Sequence, residues 1–285
     1  MNPPVLNPLL VRDAVERAMR EDLGLAGDLT SQATIPSDAT ARAIMNVRDP
    51  GVVAGLTVAA TAFGILDGNV RFEQLVSEGA SVEAGTDIAT IEGSARAILG
   101  AERVALNFAC HLSGIATLTR AYADEIAHTK ANVVCTRKTL PGLRAFEKYA
   151  VRCGGGGNHR YGLDDAILIK DNHIAVCGGV AEAIHAARSY AGHLTKIEVE
   201  VDTLEQLAIA LAAGPDVVML DNMTPDQLRE GVAMVDGCVP IEASGNVSLE
   251  TIRAVAETGV DMISTSKITM SAPTLDVGLD ITIEA

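Results

Sequence analysis

The sequence predicts an α/β fold built around a parallel sheet. In the C-terminal half, short aliphatic segments alternate with helical patterns, and the connections between them are short. Such strand–helix alternation is typical of parallel sheets, because each crossover helix returns the chain to the same edge. The core must be aliphatic, since 48% of the residues are hydrophobic but only 3% are aromatic.

Each aliphatic segment ends at, or is followed closely by, polar or charged residues, and six such strands can be counted. They are predicted to end near Arg137, at Lys170, at Val201, at Asp221, at Ser244 and at Ser266. In a (β/α) barrel the C-terminal ends of the strands meet at one face, and active sites form there. We therefore predict a barrel with its site at these strand ends.

Helical patterns lie between the later strands, over 179–191, 203–213, 225–235 and 248–258. Two of them begin with clear capping signals. Thr224 is followed by Pro225 and, three residues after the cap, by Gln227; Thr203 stands in the same relation to Gln206. A threonine cap with glutamine at the third helical position favours a helix start, and so does proline at the first position.

The N-terminal half predicts a helix from Leu10 to Glu21, a strand and turn within 41–55, and a long helix from Glu102 to His128. Residues 76–107 contain short valine and isoleucine strands separated by glycines, similar in shape to the small β-sandwich of biotinyl and lipoyl carriers. A carrier would need a lysine at a hairpin tip, and residues 76–95 contain none. The similarity therefore predicts a shape and not a carrier function.

Composition excludes several classes of partner. A formal net charge of −15 argues against nucleic acid or an anionic membrane. No apolar run approaches the ~20 residues of a membrane helix, and the N-terminus has no basic segment before a long apolar stretch, so we expect neither a membrane span nor a signal peptide. The five cysteines are widely spaced without a CxxC, which favours reduced thiols and a cytoplasmic location.

One segment of this acidic chain is basic. Residues 133–170 contain seven lysine and arginine residues but only three acidic residues. A run of charge is often a solvated surface, but Arg137, Lys138 and Lys170 fall at predicted strand ends rather than on helix surfaces. This placement predicts a binding site for an anion.

Two sets of charges should converge at the strand ends. The basic set is Arg137, Lys138, His159, Arg160 and Lys170, and the acidic set is Glu200 and Asp221. Arginine binds carboxylate in a bidentate fashion, and carboxylates with water hold Mg²⁺ beside phosphates. Taken singly, each residue keeps a structural alternative: Glu200 could merely pair with Lys170, and Asp221 could cap the next helix.

Two glycine-containing segments also bear on the predicted binding site. Ser244, Gly245 and Asn246 follow a strand and precede a helix, where exposed amides readily bind phosphate. Four glycines, 154–157, precede His159 and Arg160. Because ordering glycine costs entropy, we expect either a close approach of the backbone to a ligand or a mobile loop that delivers these two side chains. A simple flexible turn is the alternative.

The combined motifs resemble the quinolinate phosphoribosyltransferase family, and the resemblance covers nearly the whole chain. The C-terminal motifs are TRKTLPGLR (136–144), EKYAVRCGGGGNHRYGLDDAILIKDNH (147–173), EVEVDTLEQL (198–207), MLDNM (219–223) and EASG (242–245). The N-terminal motifs are EDLGLAGDLTS (21–31) and ERVALNFACHLSGIAT (102–117).

The resemblance implies a fold and an activity. The fold would be an open α/β barrel of about seven strands, here residues 114–271, with an N-terminal α/β sandwich domain over residues 1–113. The C-terminal tail 272–285 would pack back on the N-terminal domain. The activity would convert quinolinate and phosphoribosyl pyrophosphate to nicotinate mononucleotide, CO₂ and pyrophosphate with Mg²⁺, in de novo NAD biosynthesis. The family forms homodimers, and assembly into hexamers is left open.

The resemblance also implies roles for individual residues. The quinolinate pocket would contain Arg137, His159, Arg160 and Lys170, with Arg103 supplied by the partner subunit. Lys138 would lie near phosphoribosyl pyrophosphate. Ser244, Gly245, Asn246 and Ser266 would lie at the phosphate. Glu200 and Asp221 would hold the ribose and, through water or substrate, Mg²⁺. Lys170, Glu200 and Asp221 would be the catalytic residues.

The sequence departs from the family pattern after the last predicted strand. The family commonly has a glycine there, followed by LTHS, whereas this chain has Ser266 at the glycine position and Met270 at the histidine position. Leu140 also stands where threonine is expected. These departures bear most directly on the phosphate loop.

Three rival functions remain at this point. A paralogous protein associated with molybdenum transport would share the fold, and the altered 264–270 segment would support it. A barrel aldolase would use Lys170 as a Schiff base, which requires a depressed lysine pKa. A non-catalytic carrier or scaffold would use residues 76–107. The intact TRK, NHR and LIKDNH motifs favour the phosphoribosyltransferase.

Overall fold

The computed structural model describes residues 5–282. The first part of the chain contains α1 (Pro8–Leu23), α2 (Leu29–Thr34), β1 (Thr40–Val47), β2 (Gly51–Val52), α3 (Leu56–Leu66), β3 (Arg71–Gln74), β4 (Ser81–Val82), β5 (Asp87–Ser94) and α4 (Ala95–Glu125). Helix α4 begins seven residues before the predicted start at Glu102, directly after β5, and α3 lies in a segment for which no helix was predicted.

The second part contains β6 (Asn132–Val134), α5 (Arg144–Cys153), β7 (Ile167–Ile169), α6 (Asp171–Cys177), α7 (Val180–Tyr190), β8 (Ile197–Val201), α8 (Leu204–Ala213), β9 (Val217–Asp221), α9 (Pro225–Val235), β10 (Ile241–Ser244), α10 (Ile252–Ala256), β11 (Met262–Ser264), α11 (Lys267–Met270) and β12 (Val277–Thr282). All six predicted strands are present, whereas no helix was predicted for α5, α6 or α11. Helices α6 and α11 are too short to show a helical period.

The chain divides into two compact units. The first contains the residues up to Arg120, Ala145–Gly155 and the residues from Ala272, and the second contains Ala121–Arg144 and Gly156–Ser271. The first unit has an antiparallel sheet in the order β12-β1-β5-β3. The pairing of β12 with β1, from Arg42–Thr282 to Val47–Val277, brings the C-terminal strand into this sheet.

The second unit has a parallel sheet of six strands in the order β6-β11-β10-β9-β8-β7. At the edge formed by β6, Gly157 makes an isolated parallel bridge to Val134, where a seventh strand would lie. The central side chains Val199, Val218 and Ile263 are fully buried. The predicted open α/β barrel, with a separate α/β N-terminal domain, is confirmed.

Local sequence accounts for the helix starts that orient the strand ends. The Thr224 hydroxyl caps α9 by accepting from the Gln227 backbone amide, Pro225 is at the first position, and the Gln227 side-chain oxygen accepts in turn from the Thr224 backbone amide. The Thr203 hydroxyl caps α8 by accepting from the Gln206 backbone amide, and the Gln206 side-chain oxygen accepts from the Asp202 amide. These caps satisfy amides that the first helical turn leaves unpaired.

The four glycines have a packing role that the sequence did not indicate. A Cβ at Gly154 would lie 2.4 Å from the carbonyl oxygen of Ala116, so this glycine permits close contact with α4. Gly155 has a φ of +93°, and Gly157 is bound to the strand β6. Gly154, Gly155 and Gly157 thus have structural roles of their own, and the expected approach of this segment to a ligand stays a prediction.

Candidate active site

A cavity of about 430 Å³ lies at the C-terminal ends of the parallel strands, and all of its lining residues belong to the second unit. Eight of the predicted site residues line it: Arg137, Lys138, His159, Arg160, Lys170, Glu200, Asp221 and Ser244. The parallel strands β7, β8, β9 and β10 carry Lys170, Glu200, Asp221 and Ser244 within one residue of their C-terminal ends. The topology thus brings together residues up to 107 positions apart in the chain.

Four predicted residues are not among those that line the cavity. Arg103 is an exposed residue of α4 in the first unit. Gly245 and Asn246 follow β10, both with positive φ, and Ser266 is the residue before α11. Ser266 has a φ of −83°, an ordinary value for any residue, so a serine is unstrained where the family commonly has glycine.

Arg137 and Arg160 form the basic side of the cavity. In each, the side-chain Nε is buried and has no hydrogen-bond partner among the described residues. Arg160 also donates from Nη1 to the carbonyl oxygen of Ala166 at 2.9 Å. Burial and the nearby Arg137 charge lower the pKa of Arg160. Two guanidinium groups with buried, unpaired donors are suited to bind an anion, because an unpaired buried donor is costly.

Lys170 and Glu200 form an ion pair in the same cavity. The backbone amide of Lys170 donates to Nδ1 of His173 at 3.0 Å, which fixes the residue at the start of α6. The structural alternative for Glu200 is therefore partly correct, since it does pair with Lys170. The pair still lines the cavity, and 43% of the Lys170 side chain is exposed, so the ammonium group is accessible to a ligand.

Asp221 ends β9, beside a crowded turn. Its carboxylate accepts from the side-chain amide of Asn222, and Thr224, rather than Asp221, caps the following helix. A Cβ at Gly245 would lie 2.3 Å from the Asn222 Oδ1 and 2.7 Å from its amide nitrogen. Gly245 is thus required because the turns after β9 and β10 touch each other.

Lys138, in the segment after β6, makes backbone hydrogen bonds to two threonines. The Lys138 amide donates to the hydroxyl of Thr136 at 3.0 Å. The Thr269 hydroxyl donates to the Lys138 carbonyl oxygen at 2.7 Å. Thr269, whose side chain is buried, belongs to the segment that departs from the family pattern, and it connects that segment to the basic side of the cavity.

Two acidic residues of the cavity region were missed by sequence reasoning. Glu198 and Glu242 are buried, with 9% and 2% of their surface exposed, and both approach Nε2 of His159, at 2.9 and 3.7 Å. Burial and the Glu198 charge raise the pKa of Glu242 to about 7. The available signal was periodicity: Glu198 shares a strand face with Glu200, and Glu242 shares one with Ser244.

Glu200 and Asp221 suit a magnesium ion that is held mainly by substrate. Among the described residues, the group of three potential ligands that lie close together is His159, Glu198 and Glu242, and neither Glu200 nor Asp221 belongs to it. Mg²⁺ commonly uses one or two carboxylates together with water and substrate phosphates. The two carboxylates in the cavity fit that donor set, but the protein does not build a complete cage.

The fold and this site define an α/β-barrel protein whose strand-end cavity is lined by both basic side chains and carboxylates. No helix in the described part of the chain is long and apolar enough to cross a membrane. All five cysteines, each within residues 5–282, are free thiols.

Comparisons with known proteins assign the family. Residues 28–113 match the N-terminal domain of quinolinate phosphoribosyl transferase, and residues 115–280 match its C-terminal domain. The chain belongs to this family. It is 46% identical over 277 residues to the carboxylating nicotinate-nucleotide pyrophosphorylase of Mycobacterium leprae, with 95% of this chain and 96% of that one covered.

Further relatives agree in sequence and structure. A probable carboxylating nicotinate-nucleotide pyrophosphorylase of Bacillus subtilis is 43% identical, with 98% of this chain and 96% of that one covered. The crystal structure of NadC from Streptococcus pyogenes matches with a TM-score of 0.95 at 40% identity, and 99% of this chain and 100% of that one are covered.

Proposed function

We propose that this protein is a pentosyltransferase that joins quinolinate to phosphoribosyl pyrophosphate and releases CO₂ and pyrophosphate. The product would be nicotinate mononucleotide, as in NAD biosynthesis. Family membership supports the reaction. The single structural observation that carries the proposal is a cavity with unsatisfied arginine donors on one side and two carboxylates on the other, because the substrates combine a dicarboxylate with a sugar that becomes cationic.

Quinolinate is a dianion and would bind at the basic side of the cavity. The buried Nε groups of Arg137 and Arg160 would each donate to a carboxylate oxygen, and the Lys170 ammonium group would supply a further positive charge. Binding in one orientation brings the ring nitrogen to the anomeric carbon of the sugar, which replaces a bimolecular encounter with a positioned one.

Phosphoribosyl pyrophosphate would occupy the opposite side. Its 5′-phosphate would lie at Ser244, Gly245 and Asn246, with Ser266 nearby, and Lys138 would contact the pyrophosphate. The close packing of Gly245 against Asn222 supports a turn whose shape is already set before the phosphate arrives. Such preorganisation makes binding stronger, because less freedom is lost on association.

Glu200 and Asp221 would stabilise the sugar as the bond to pyrophosphate breaks. Positive charge develops on the ribose in that step, and carboxylates held nearby in a cavity stabilise it. These two residues would also hold Mg²⁺ through water or substrate, and the bound ion would neutralise the charge of the leaving pyrophosphate. The pairing of Glu200 with Lys170 keeps Glu200 in place before substrate binds.

The second half of the reaction follows from the first. The ring nitrogen donates its lone pair to the anomeric carbon, and the electrons of the broken bond leave with pyrophosphate. The ring nitrogen is then cationic and attracts electrons from the adjacent carbon. That carbon can therefore lose its carboxylate as CO₂, keep the electron pair and take up a proton.

The proposal includes an assembly. Arg103 would be supplied to the active site by the partner subunit of a homodimer, and assembly of such dimers into hexamers is left open. The exposure of Arg103 on α4 supports a role outside its own unit. The proposal also places the protein in the cytoplasm, in agreement with its free thiols.

The test is a product assay with purified protein, quinolinate, phosphoribosyl pyrophosphate and Mg²⁺. We expect nicotinate mononucleotide and CO₂ in equal amounts, and none when nicotinic acid replaces quinolinate. A folded, dimeric protein that forms no product from quinolinate would contradict the proposed function. Product that forms equally well without Mg²⁺, in the presence of a chelator, would contradict only the assignment of the metal.

A further inference from the structure

The side chain of Arg144 joins two segments of the second unit, and each segment carries one of the cavity arginines. Its Nε donates to the hydroxyl of Thr139 at 3.1 Å, and its Nη2 donates to the carbonyl oxygen of Arg137 at 3.3 Å. Its Nη1 donates to the carbonyl oxygen of Tyr161 at 2.9 Å. Because Tyr161 directly follows Arg160, one guanidinium group links the segment of Arg137 to the segment of Arg160.

This link depends on the shape of the arginine side chain and not only on its charge. The guanidinium group is planar and presents its donors in a fixed fork, whereas a lysine ammonium group is a point charge on a flexible stem. Nε and Nη2 bind one segment while Nη1 binds the other. A lysine at position 144 would therefore keep the positive charge but could not hold both segments at one separation.

The segment that contains Arg160 is a turn closed by its own hydrogen bonds. Both oxygens of the Asp165 carboxylate accept from backbone amides, and the Tyr161 amide is one of them, at 2.6 Å. The Arg160 guanidinium group donates from Nη1 to the Ala166 carbonyl oxygen at 2.9 Å within the same turn. The Tyr161 carbonyl oxygen that Arg144 binds thus belongs to the turn that also holds the Arg160 side chain.

Lys138 lies in the segment of Arg137 but has anchors of its own. Its amide donates to the Thr136 hydroxyl, and its carbonyl oxygen accepts from the Thr269 hydroxyl. Loss of the Arg144 contacts should therefore displace Arg137 more than Lys138. This difference predicts an effect on one substrate and not on the other.

The separation of Arg137 and Arg160 matters because both are cationic. Burial and the Arg137 charge lower the pKa of Arg160, so the two guanidinium groups repel each other before an anion binds. A link between their segments opposes that repulsion. Quinolinate carries two carboxylates on adjacent ring carbons, and a pair of donors already held at a matching separation loses less freedom when it binds them.

We propose that Arg144 is a positioning residue for quinolinate, which sets the separation of Arg137 and Arg160 by holding their two segments together. Arg144 is absent from the described residues that line the cavity, so it acts through these neighbours and not by touching substrate. The inference rests on the proposed function for the identity of the substrate.

The first test replaces Arg144 in two ways. Arg144→Lys keeps the charge without the fork, and Arg144→Met removes both. We expect each to raise the KM for quinolinate by about tenfold, while the KM for phosphoribosyl pyrophosphate changes by less than about threefold. Arg188→Lys is the control, because Arg188 also donates to a carbonyl oxygen, that of Gly214 at 3.0 Å, but does so at an exposed position outside the cavity.

A second set of variants tests the same contact from its other side and remains informative if the Arg144 variants fail to fold. Thr139→Val removes the hydroxyl that Nε of Arg144 contacts, whereas Thr139→Ser keeps a hydroxyl. We expect Thr139→Val to raise the KM for quinolinate by about threefold and Thr139→Ser to leave it near the wild-type value. Combined with Arg144→Met, Thr139→Val should add no further increase, because both substitutions remove one contact.

Titration of quinolinate into each protein, followed by calorimetry, separates binding from turnover. Wild-type affinity in Arg144→Lys would overturn the inference, since charge alone would then be sufficient. Equal increases in the KM for both substrates would also overturn it, because they would indicate a general structural role. Wild-type protein that binds quinolinate without forming product would contradict the proposed function alone, and the Kd values would still test Arg144. Folded wild-type protein that neither binds quinolinate nor forms product would contradict both.

Discussion

Two glutamates with raised pKa values, one in each unit, show how withdrawal of a carboxyl group from solvent can serve different ends. Glu78, in the first unit, accepts from the Gly55 amide at 2.7 Å and the Thr57 amide at 3.1 Å, at the start of α3. Glu242, in the second unit, has a buried oxygen with no partner among the described residues. Burial raises the pKa of both carboxyl groups.

The difference between them lies in what compensates the burial. Hydrogen bonds from the backbone lower the pKa of Glu78 again and satisfy helix amides that lack an acceptor. Glu242 has the adjacent Glu198 charge, which raises its pKa further. A carboxylate whose oxygens accept hydrogen bonds from nearby amides stabilises the fold. A buried carboxylate oxygen without a hydrogen-bond donor, beside a cavity, indicates a binding site.

The largest expected effect is the loss of the accessible cation in the cavity. Lys170→Ala should lower turnover by more than about 100-fold, with little change in the free energy of unfolding, because the side chain is 43% exposed. Steady-state kinetics and thermal unfolding together make this measurement. The control is Lys130→Ala, at a surface lysine paired with Asp261, which should change neither turnover nor the free energy of unfolding. Full activity in Lys170→Ala would refute the catalytic assignment.

The satisfied glutamate should behave in the opposite way. Glu78→Ala removes acceptors from the Gly55 and Thr57 amides and should lower the free energy of unfolding by about 2–3 kcal/mol. The KM values for both substrates should remain unchanged. Chemical denaturation measures the first quantity, and Glu83→Ala, at an exposed position on the turn before β5, is the control. A stable Glu78→Ala protein would remove the contrast between the two glutamates.

The unsatisfied glutamate should show its burial in the pH dependence of stability. Because the pKa of Glu242 in the folded protein, about 7, is above its ordinary value of 4.5, the folded state binds this proton more tightly than the unfolded state. The free energy of unfolding should therefore fall as the pH rises from about 4.5 to about 7. Glu242→Gln removes this loss, so it should exceed wild type at pH 8 by on the order of 1–3 kcal/mol.

Denaturation at pH 5 and at pH 8 measures this effect. The difference in free energy of unfolding between Glu242→Gln and wild type should be smaller at pH 5, because Glu242 of the wild type is protonated in the folded state at that pH. If that difference in free energy of unfolding is the same at both pH values, the charge of Glu242 is not its cause.

The smallest expected effect is that of Ser266→Gly, and it is best seen in comparison with Gly245→Ala in a neighbouring turn. Gly245 has a φ of +103°, and a Cβ there would clash with Asn222, whereas Ser266 has a φ of −83°. Ser266→Gly should therefore change the KM for phosphoribosyl pyrophosphate by less than about threefold, since neither residue strains this backbone. Gly245→Ala, in contrast, should clearly raise the KM for phosphoribosyl pyrophosphate. A large gain in affinity from Ser266→Gly would show that the serine obstructs the phosphate.

Much of the fold could be predicted from local sequence because its causes are local. The aliphatic segments that end at Asp221 and Ser244 form strands as predicted, and the capping signals at Thr203 and Thr224 start helices at the predicted residues. The start of α4 at Ala95 was predicted too late. Helix boundaries depend on neighbouring packing as well as on propensity, so this error is of the expected kind.

By itself, the sequence determined which charged residues end the strands, since a parallel sheet carries every strand end to the same face. That rule was sufficient to bring Arg137, Lys170 and Glu200 to one cavity. Only the tertiary structure decided how those charges are partnered: the pairing of Lys170 with Glu200, and the contacts of His159 Nε2 with Glu198 and Glu242. Such contacts depend on distances between different strands, and periodicity along a single strand contains no information about them.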